Sequence, residues 1–310
     1  MGRVLVTHPL PAGGTDALVA AGHELLEPSG RPLADWAPEV DGILCLLTDP
    51  IDAAVLKAGA AGNLRVVSLA AVGYDNVDVA EAAALGVTVC NTPGVLDEST
   101  ADLAFLLVLA ANRLSSDAER DLRAGAWTGW DISDHLGTDV WGTCLGLVGY
   151  GRIGQAVARR AEGFGMEVLH HARSDTGVPG YVAELPELLA RADTVSLHVP
   201  LTPETRHLIG AAELATMKPT AVLVNTARGA VVDEPALARA LERGELHAAG
   251  LDVYSHEPAI DPELLAAPRT VLLPHIGSAT TRTRVAMARM AAEAICAVLA
   301  GRMPAHTVSV

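Results

Sequence analysis

The chain has 310 residues, of which 50% are hydrophobic, 19% are charged and only 3% are aromatic. This length and composition predict about two globular domains at roughly 150 residues each, and they exclude a disordered or fibrous protein. The formal net charge is −15 and no cluster of Lys and Arg is present, so we expect no nucleic-acid partner.

The sequence also argues against a membrane or secreted protein. Its longest apolar run, residues 104–111, is far shorter than the roughly 20 residues that span a bilayer. Residues 1–9 form a short strand pattern without the apolar region of a signal peptide. No C-x-x-C pair occurs, which favours buried, reduced thiols in a cytoplasmic protein. The cysteines are Cys45, Cys90, Cys144 and Cys296.

Short apolar runs alternate with longer amphipathic segments, which predicts βαβ units around parallel sheets. In the first third of the chain, strands are predicted over residues 3–7, 42–47, 65–69 and 87–90. Helices are predicted between them, over residues 15–21, 53–60 and 79–85.

A long helix is predicted over residues 100–114, with Ser99 and Asp102 as a variant of the capping box. We expect it to carry the chain from the first domain to the second. The stretch that follows, within about residues 115–141, contains the three tryptophans Trp127, Trp130 and Trp141. Because tryptophan is enriched at interfaces, we interpret this stretch as an arm that packs on a second subunit of a homodimer. The alternative is a loop that folds back on its own domain.

From residue 144 onward the same alternation continues, and a last helix over residues 281–299 is expected to return to the first domain. The predicted fold class is therefore α/β, with two Rossmann-like or flavodoxin-like parallel-sheet domains joined by crossing helices. The predicted strands of this second part are residues 144–148, 167–171, 194–199, 221–225, 250–254 and 270–273.

A glycine-rich turn follows the first of these strands. Residues 149–154 read Gly-Tyr-Gly-Arg-Ile-Gly and open a helix, which is the context that a dinucleotide-binding fingerprint requires. Gly149 allows a tight turn, Gly151 lets the backbone approach a pyrophosphate, and Gly154 lets helix and strand pack closely. The helix N-terminus offers N–H groups to the phosphates.

This turn assigns roles to the two domains. We predict a dinucleotide-binding Rossmann domain over residues 99–283, which includes the arm. Residues 1–98 and 284–310 are predicted to form the substrate, or catalytic, domain.

The residues after the next strand bear on the choice of cofactor. NAD-binding sites usually place an acidic residue about 20 residues beyond the turn, where it binds the ribose 2′-hydroxyl. Here Ala172 takes that place and is followed by Arg173 and Ser174. Because arginine pairs with a 2′-phosphate, we predict a preference for NADP(H), with NAD(H) possible if Arg173 only stacks on adenine. The adjacent His170 and His171 should point to opposite faces of a strand, so no metal site is expected.

Three ionisable residues follow successive predicted strands, at the edge where open parallel sheets bind ligands. They are Arg228, Glu257 and His275. Reduction of a 2-oxo acid by hydride needs a proton for the carbonyl oxygen, and histidine, with an unperturbed pKa of about 6.5, can supply it. A neighbouring carboxylate favours the imidazolium, and arginine binds a carboxylate at two points. Singly they could be a surface charge, a helix cap and a buried polar group, but together they favour this chemistry.

At these residues the chain resembles the D-isomer-specific 2-hydroxyacid dehydrogenase family, and the resemblance covers nearly its whole length. Within the family it is most similar to the glyoxylate/hydroxypyruvate reductases, because of residues 127–130 and 274–280 and the missing acid at Ala172. The segments that carry the family resemblance are residues 72–78, 149–154, 198–205, 225–229, 250–254 and 273–280.

The resemblance implies NAD(P)H-dependent reduction of a small 2-oxo acid to the D-2-hydroxy acid in a hinged, two-domain enzyme. It implies that His275 is the proton donor, Glu257 its partner, and Arg228 the clamp on the substrate. Further substrate-binding residues implied are Val72, Gly73, Ser278 and Trp130, the last in a neighbouring subunit's site. Cofactor-binding residues implied besides His275 and the three glycines are Thr100, Arg152, Ile153, Ala172, Arg173, Ser174, Val199, Pro200, Thr205, Thr226, Ala227, Asp252 and Gly277.

Two other interpretations stay open at this point. Related chains oxidise phosphite or 3-phosphoglycerate, the latter often with a C-terminal regulatory domain that we do not expect after Val310. The second is a nucleotide-sensing protein of this fold without turnover, against which the intact Arg228, Glu257 and His275 argue.

Overall fold

Two parallel sheets, each in its own unit of the chain, organise the computed structural model, which describes residues 1–309. The first unit contains Met1–Leu96 and the residues from Ser278 onward, and the second contains Asp97–Gly277. The boundaries predicted from the sequence, after residues 98 and 283, stand slightly later in the chain. Val310, the last residue of the predicted substrate domain, lies outside the described residues. The predicted fold class of two parallel-sheet α/β domains is confirmed.

The first unit has a five-stranded sheet in the order β2-β1-β3-β4-β5, with every pair parallel. Four of its strands were predicted, and each is one or two residues shorter than expected. The three-residue strand β2 was missed because none of its residues is fully buried, so it lacks an apolar run. The strands are β1 (Arg3–Val6), β2 (Glu24–Leu26), β3 (Gly42–Cys45), β4 (Val66–Leu69) and β5 (Thr88–Cys90).

Helices of the first unit pack on this sheet. The last helix of the chain contacts β3 and β4 closely, since a Cβ added at Gly42 would lie 3.1 Å from Ile295. The last helix thus packs within the first unit. The helices are α1 (Asp16–Ala20), α2 (Leu33–Trp36), α3 (Ala53–Ala60), α4 (Val79–Ala84) and, at the end of the chain, α12 (Thr281–Leu299).

The second unit has a six-stranded parallel sheet in the order β11-β10-β9-β8-β6-β7. Residues 250–254 were predicted as one strand, but the strand ends at Leu251. Asp252 and Tyr254 leave the sheet to hydrogen-bond neighbouring loops, an interaction that a local pattern does not show. The strands are β6 (Cys144–Val148), β7 (Glu167–His171), β8 (Thr194–Leu197), β9 (Val222–Asn225), β10 (Ala248–Leu251) and β11 (Thr270–Leu272).

Seven α-helices are described in the second unit, and the first of them, α5, packs on β9, β10 and α7. The predicted capping box at its start is wrong, because α5 begins at Asp97 and Ser99 is buried inside its first turn. Asp102 instead forms an ion pair with Arg160 of α7. The helices are α5 (Asp97–Asn112), α6 (Ser115–Arg123), α7 (Arg152–Glu162), α8 (Leu185–Arg191), α9 (Ala211–Thr216), α10 (Glu234–Glu242) and α11 (Pro262–Ala266).

The predicted single helix over residues 100–114 is divided from α6 by Leu114, whose φ is +50°. Beyond α6, residues 124–141 contain neither helix nor strand. Trp127, Trp130 and Trp141 are 56%, 81% and 77% exposed, so their own unit does not cover them. This exposure counts against a loop folded back on its own domain.

Across residues 1–309 no helix is both long enough and apolar enough to cross a bilayer. The same residues contain no group of three or more His, Cys, Asp or Glu side chains arranged to hold a metal ion. The four cysteines are unpaired, three of them buried and Cys296 partly so. Burial raises the pKa of both Cys90 and Cys144 to about 11, so these thiols stay protonated at neutral pH.

Candidate active site

In the second unit, the loops that carry the predicted cofactor-binding and catalytic residues all follow strands of one parallel sheet. They therefore leave this sheet at the same edge. The chain runs from β6 to its neighbour β7 on one side and then returns to β8 on the other. The strand order therefore reverses between β6 and β8, and open parallel sheets bind ligands beyond the carboxyl ends of the strands at such a point.

The glycine turn lies at this reversal point. Gly149 has a φ of +96°, and a Cβ there would lie 2.6 Å from the carbonyl oxygen of His198, just beyond β8. A Cβ at Gly154 would lie 2.4 Å from the Gly149 oxygen, so both positions need glycine for close packing. Around Gly151, in contrast, the protein has nothing within 4 Å of an added Cβ. The turn thus presents an open face beside the N-terminus of α7, where Arg152 and Ile153 begin the helix.

The residues predicted to read the cofactor's ribose stand after β7, the neighbour of β6. Ala172 is half-buried, and Arg173 and Ser174 are exposed. A hydrogen bond with Thr202, with a smaller contribution from the charge of Arg173, lowers the pKa of Glu204. Arg173 is therefore close enough to the Glu204 carboxylate for the two charges to interact.

The loop after β8 carries three of the predicted cofactor-binding residues. Val199 is half-buried and Pro200 is exposed, while the hydroxyl of Thr205 donates to the Pro200 oxygen at 2.6 Å and closes the turn. At the start of the same loop, burial lowers the pKa of His198 to about 4, so its ring is neutral where it hydrogen-bonds Ser196.

The loop after β9 is shaped by Asn225, a buried residue that the sequence analysis did not single out. Its amide donates to the Arg228 oxygen at 2.8 Å and accepts from the Ala227 N–H at 3.0 Å. This side chain closes the turn that presents Arg228, whose guanidinium also donates to the Ala227 oxygen at 2.8 Å. Inside the same turn, the Thr226 hydroxyl oxygen is buried without a hydrogen-bond partner among residues 1–309.

Gly229 joins the loop of Arg228 to the loop of Glu257. A Cβ at Gly229 would lie 1.9 Å from the backbone carbon of Tyr254, so only glycine permits this approach. Two residues missed by the sequence analysis complete the junction. Buried Glu234 accepts the Ser255 N–H at 2.7 Å, and Tyr254 donates its hydroxyl to the Leu273 oxygen at 2.9 Å. Only their burial in the fold reveals these roles.

Glu257 and His275 meet across the ends of β10 and β11. Glu257 Oε2 lies 2.7 Å from His275 Nδ1, and its Oε1 accepts the Tyr254 N–H at 2.9 Å. The two side chains are 24% and 26% exposed, so water reaches the pair but does not surround it. Burial acts to raise the pKa of Glu257, but the hydrogen bond to His275 and the nearby charges of His275 and Arg228 bring it below its ordinary value. The structure thus groups all three predicted catalytic residues.

His275 is held in a costly backbone conformation, with a φ of +54°. The His275 N–H donates to the backbone carbonyl oxygens of Asp252 at 2.8 Å and of Leu273 at 3.2 Å. The two carboxylate oxygens of buried Asp252 accept the N–H groups of Ile276 and Gly277 at 2.8 and 2.7 Å. Burial raises the pKa of Asp252, partly offset by these two bonds. Asp252 therefore fixes the segment that carries His275, a function beyond the predicted binding of the cofactor.

The remaining predicted residues are divided between the two units. Thr100, in the first turn of α5, is buried and lies near Gly277. In the first unit, Val72 and Gly73 follow β4, where Asn91 donates to the Val72 oxygen at 2.7 Å. Ser278 also belongs to the first unit and is half-buried, and Trp130 projects from the second unit.

Comparison with known proteins identifies the family. A family model described as the NAD-binding domain of D-isomer specific 2-hydroxyacid dehydrogenases matches residues 105–277, more than half of the chain. The chain is a member of this family. The resemblance inferred from its motifs is thus confirmed.

Individual relatives of this 2-hydroxyacid dehydrogenase are similar over nearly the full length. Glyoxylate reductases from Korarchaeum cryptofilum and Thermococcus litoralis are 46% and 41% identical to it, each over 99% of this chain and 96% of the relative. A crystal structure of an NADPH-dependent glyoxylate/hydroxypyruvate reductase from Sinorhizobium meliloti, in complex with NADP and malonate, has a TM-score of 0.89. It is 35% identical, and the match covers 99% of this chain and 96% of that one.

Two features of the dehydrogenase fit a bound dinucleotide. The open face at Gly151 leaves room for a pyrophosphate against the backbone. The unpartnered hydroxyl of Thr226 is buried beside the loop of Arg228, and buried polar atoms without a partner are rare unless a ligand or water completes them.

Proposed function

We propose that this dehydrogenase reduces glyoxylate and hydroxypyruvate to their 2-hydroxy acids, with NADPH as the preferred hydride donor. The observation that carries the proposal is the 2.7 Å pair of His275 and Glu257, grouped with Arg228 at the ends of adjacent strands. The names of the relatives support the substrate class. When bound, the nicotinamide supplies the hydride that adds to the carbonyl carbon.

The role of His275 follows from its hydrogen bond. Because Glu257 engages Nδ1, Nε2 is the ring nitrogen left to exchange a proton with the substrate. The Glu257 carboxylate stabilises the imidazolium, which gives its Nε2 proton to the carbonyl oxygen as hydride reaches the carbon. The product is the alcohol, and the ring is left neutral. In the direction of oxidation, the neutral ring accepts the proton.

Arg228 is proposed to hold the substrate. Its guanidinium can bind a carboxylate and polarise the adjacent carbonyl, and its charge opposes escape of the negative substrate. Val72, Gly73, Ser278 and the arm's Trp130 are proposed as further substrate contacts, and Thr100 as a pyrophosphate contact. The exposed tryptophans support the proposal that the arm makes the enzyme a homodimer.

The preference for NADPH is proposed from the absence of an acid at Ala172 and the presence of exposed Arg173 and Ser174. An arginine there binds a 2′-phosphate, whereas a carboxylate would repel it. Substituting Ala172→Asp together with Arg173→Ala should therefore move the ratio of kcat/KM for NADPH and NADH toward NADH. An unchanged ratio would mean that the 2′-phosphate is recognised elsewhere.

The first test is oxidation of NADPH and, separately, NADH with glyoxylate, hydroxypyruvate, pyruvate and a bulkier aromatic 2-oxo acid. We expect fast turnover of NADPH with glyoxylate and hydroxypyruvate. His275→Ala should lower kcat by at least about 100-fold while leaving the protein folded. Absence of turnover with all four acids would refute the proposal. Near-normal turnover by His275→Ala would show that His275 is not the proton donor.

A further inference from the structure

The loop after β7, residues 172–180, carries Arg173 and Ser174 and is fastened to the strand by His170. This side chain is completely buried, and its Nε2 lies 2.6 Å from the hydroxyl of Thr176 in the middle of the loop. The Thr176 oxygen also accepts the Val178 N–H at 3.2 Å. The side chain of His170 therefore fixes the middle of the loop through Thr176.

The base of the same loop is fixed by backbone contacts. The His170 N–H donates to the Gly180 oxygen, and the Val182 N–H donates to the His170 oxygen, both at 2.8 Å. Gly180 has a φ of +92°, and a Cβ there would lie 2.3 Å from the Val168 oxygen. With the base fixed independently, the His170–Thr176 bond governs only the position of the central residues.

The His170 ring also touches the glycine turn. It stacks on Tyr150, the residue between Gly149 and Gly151, with 3.9 Å between ring centroids and 21° between planes. The loop that carries Arg173 and the turn proposed to bind the pyrophosphate are thus linked through one ring. Loss of the stacked ring would alter the spacing between the two, whereas a replacement that keeps the ring would preserve it.

Burying a histidine at position 170 costs free energy. Its Nδ1 is buried without a hydrogen-bond partner among the described residues, and burial lowers its pKa, so the ring is neutral. Phenylalanine would fill a similar space and stack on Tyr150 without an unsatisfied nitrogen. What histidine adds over phenylalanine is the bond to Thr176.

We propose that His170 is a positioning residue for cofactor selection, which holds Arg173 and Ser174, through Thr176, where they meet the 2′-phosphate. The inference rests on the proposed preference for NADPH. His170 is buried and acts only through the loop. Loss of the bond should therefore weaken ligands that carry a 2′-phosphate and spare those that lack it.

The test is calorimetric binding of 2′,5′-ADP and of 5′-AMP, which differ in the 2′-phosphate and need no turnover. His170→Phe keeps the stacked ring, and Thr176→Val removes the hydroxyl at nearly constant shape. Each should weaken 2′,5′-ADP about three- to tenfold, as loss of one buried hydrogen bond suggests, and change 5′-AMP less than about twofold. Thr176→Ser should restore the parent affinity, and the double variant should be no weaker than either single one.

Kinetics supply a second readout. The KM for NADPH should rise in His170→Phe while kcat at saturation and the KM for NADH stay unchanged, which general destabilisation would not produce. Equal losses for both nucleotides, or none, in variants that melt like the parent would overturn the inference alone. If the parent itself binds 2′,5′-ADP no better than 5′-AMP, the proposed NADPH preference fails and the inference falls with it.

Discussion

The substitution Glu257→Gln removes one charge while keeping the shape of the side chain. Both carboxylate oxygens are in use, one on the Tyr254 N–H and one on His275 Nδ1. An amide has only one oxygen, so its NH2 group must face one of these two partners. If it faces His275 it holds the ring in the neutral form, which is a much weaker acid than imidazolium.

A hydrogen bond to a charged group contributes about 1.5–3 kcal/mol, and about 1.36 kcal/mol corresponds to a factor of ten in rate. We therefore expect kcat/KM for glyoxylate to fall about 10- to 100-fold in Glu257→Gln. The pH profile of the variant should also differ from that of the parent, because the imidazolium has lost its counter-charge. The assay is NADPH oxidation across pH 5–9.

The matched control is Glu263→Gln, the same change on an exposed residue of α11 in the same unit, which should leave the profile unaltered. Glu257→Asp tests reach, since a shorter carboxylate cannot span both partners. If Glu257→Gln stays within about twofold of the parent and keeps its pH profile, the pair does not supply the proton.

Three further predictions concern Glu257, the glycine turn and the surroundings of Arg173. The pKa of Glu257 is lowered, so its ionisation stabilises the fold above the unfolded value of about 4.5 and this is lost as the pH falls through the lowered pKa. The free-energy gap between parent and Glu257→Gln in urea unfolding should therefore shrink below pH 4.5, and a constant gap would contradict this. Gly151→Ala should raise the Kd for NADPH at least about tenfold without lowering the Tm, whereas Gly149→Ala should lower the Tm. Glu204→Gln should increase kcat/KM for NADPH only about twofold, since exposed charges interact weakly, and should not change it for NADH, and equal changes with both would show that Glu204 does not compete for Arg173.

The sequence was informative wherever function depends on local order along the chain. The glycine turn needs a strand before it and a helix after it, and both are local, so its place at the end of β6 could be predicted. Arg228, Glu257 and His275 could be grouped because parallel strands end at one edge of a sheet. The support from Glu234 could not be foreseen, since only the fold brings it near the Ser255 N–H. Asn225 bonds residues only two and three positions away, in a turn that the strand pattern alone did not reveal.

The errors have the same origin. Ser99 and Asp102 fit a capping pattern, but the contact of Asp102 with Arg160 lies 58 positions away in sequence. Strand β2 is stabilised by pairing with β1 rather than by its own apolar residues. Local patterns predict elements that bury their own side chains and fail for those fixed by distant partners.

A substitution of Asp252 tests whether this residue holds the segment that carries His275 rather than taking part in the chemistry. Its two oxygens each accept one N–H, from Ile276 and Gly277, and it is 1% exposed. In Asp252→Asn one of these N–H groups must face an amide NH2, and a buried unsatisfied donor costs about 1–3 kcal/mol. The segment next to His275 should therefore move, with a lower Tm and a kcat reduced about tenfold or more.

The matched control for this change is Asp261→Asn at the start of α11. There a single oxygen, Oδ1, accepts both N–H groups, from Glu263 and Leu264, so asparagine can replace aspartate as a helix cap. Its Tm and kcat should stay close to those of the parent. If Asp252→Asn behaves like this control, the two bonds from the segment do not position His275, and its strained backbone must be held by the bonds from the His275 N–H to the Asp252 and Leu273 carbonyl oxygens.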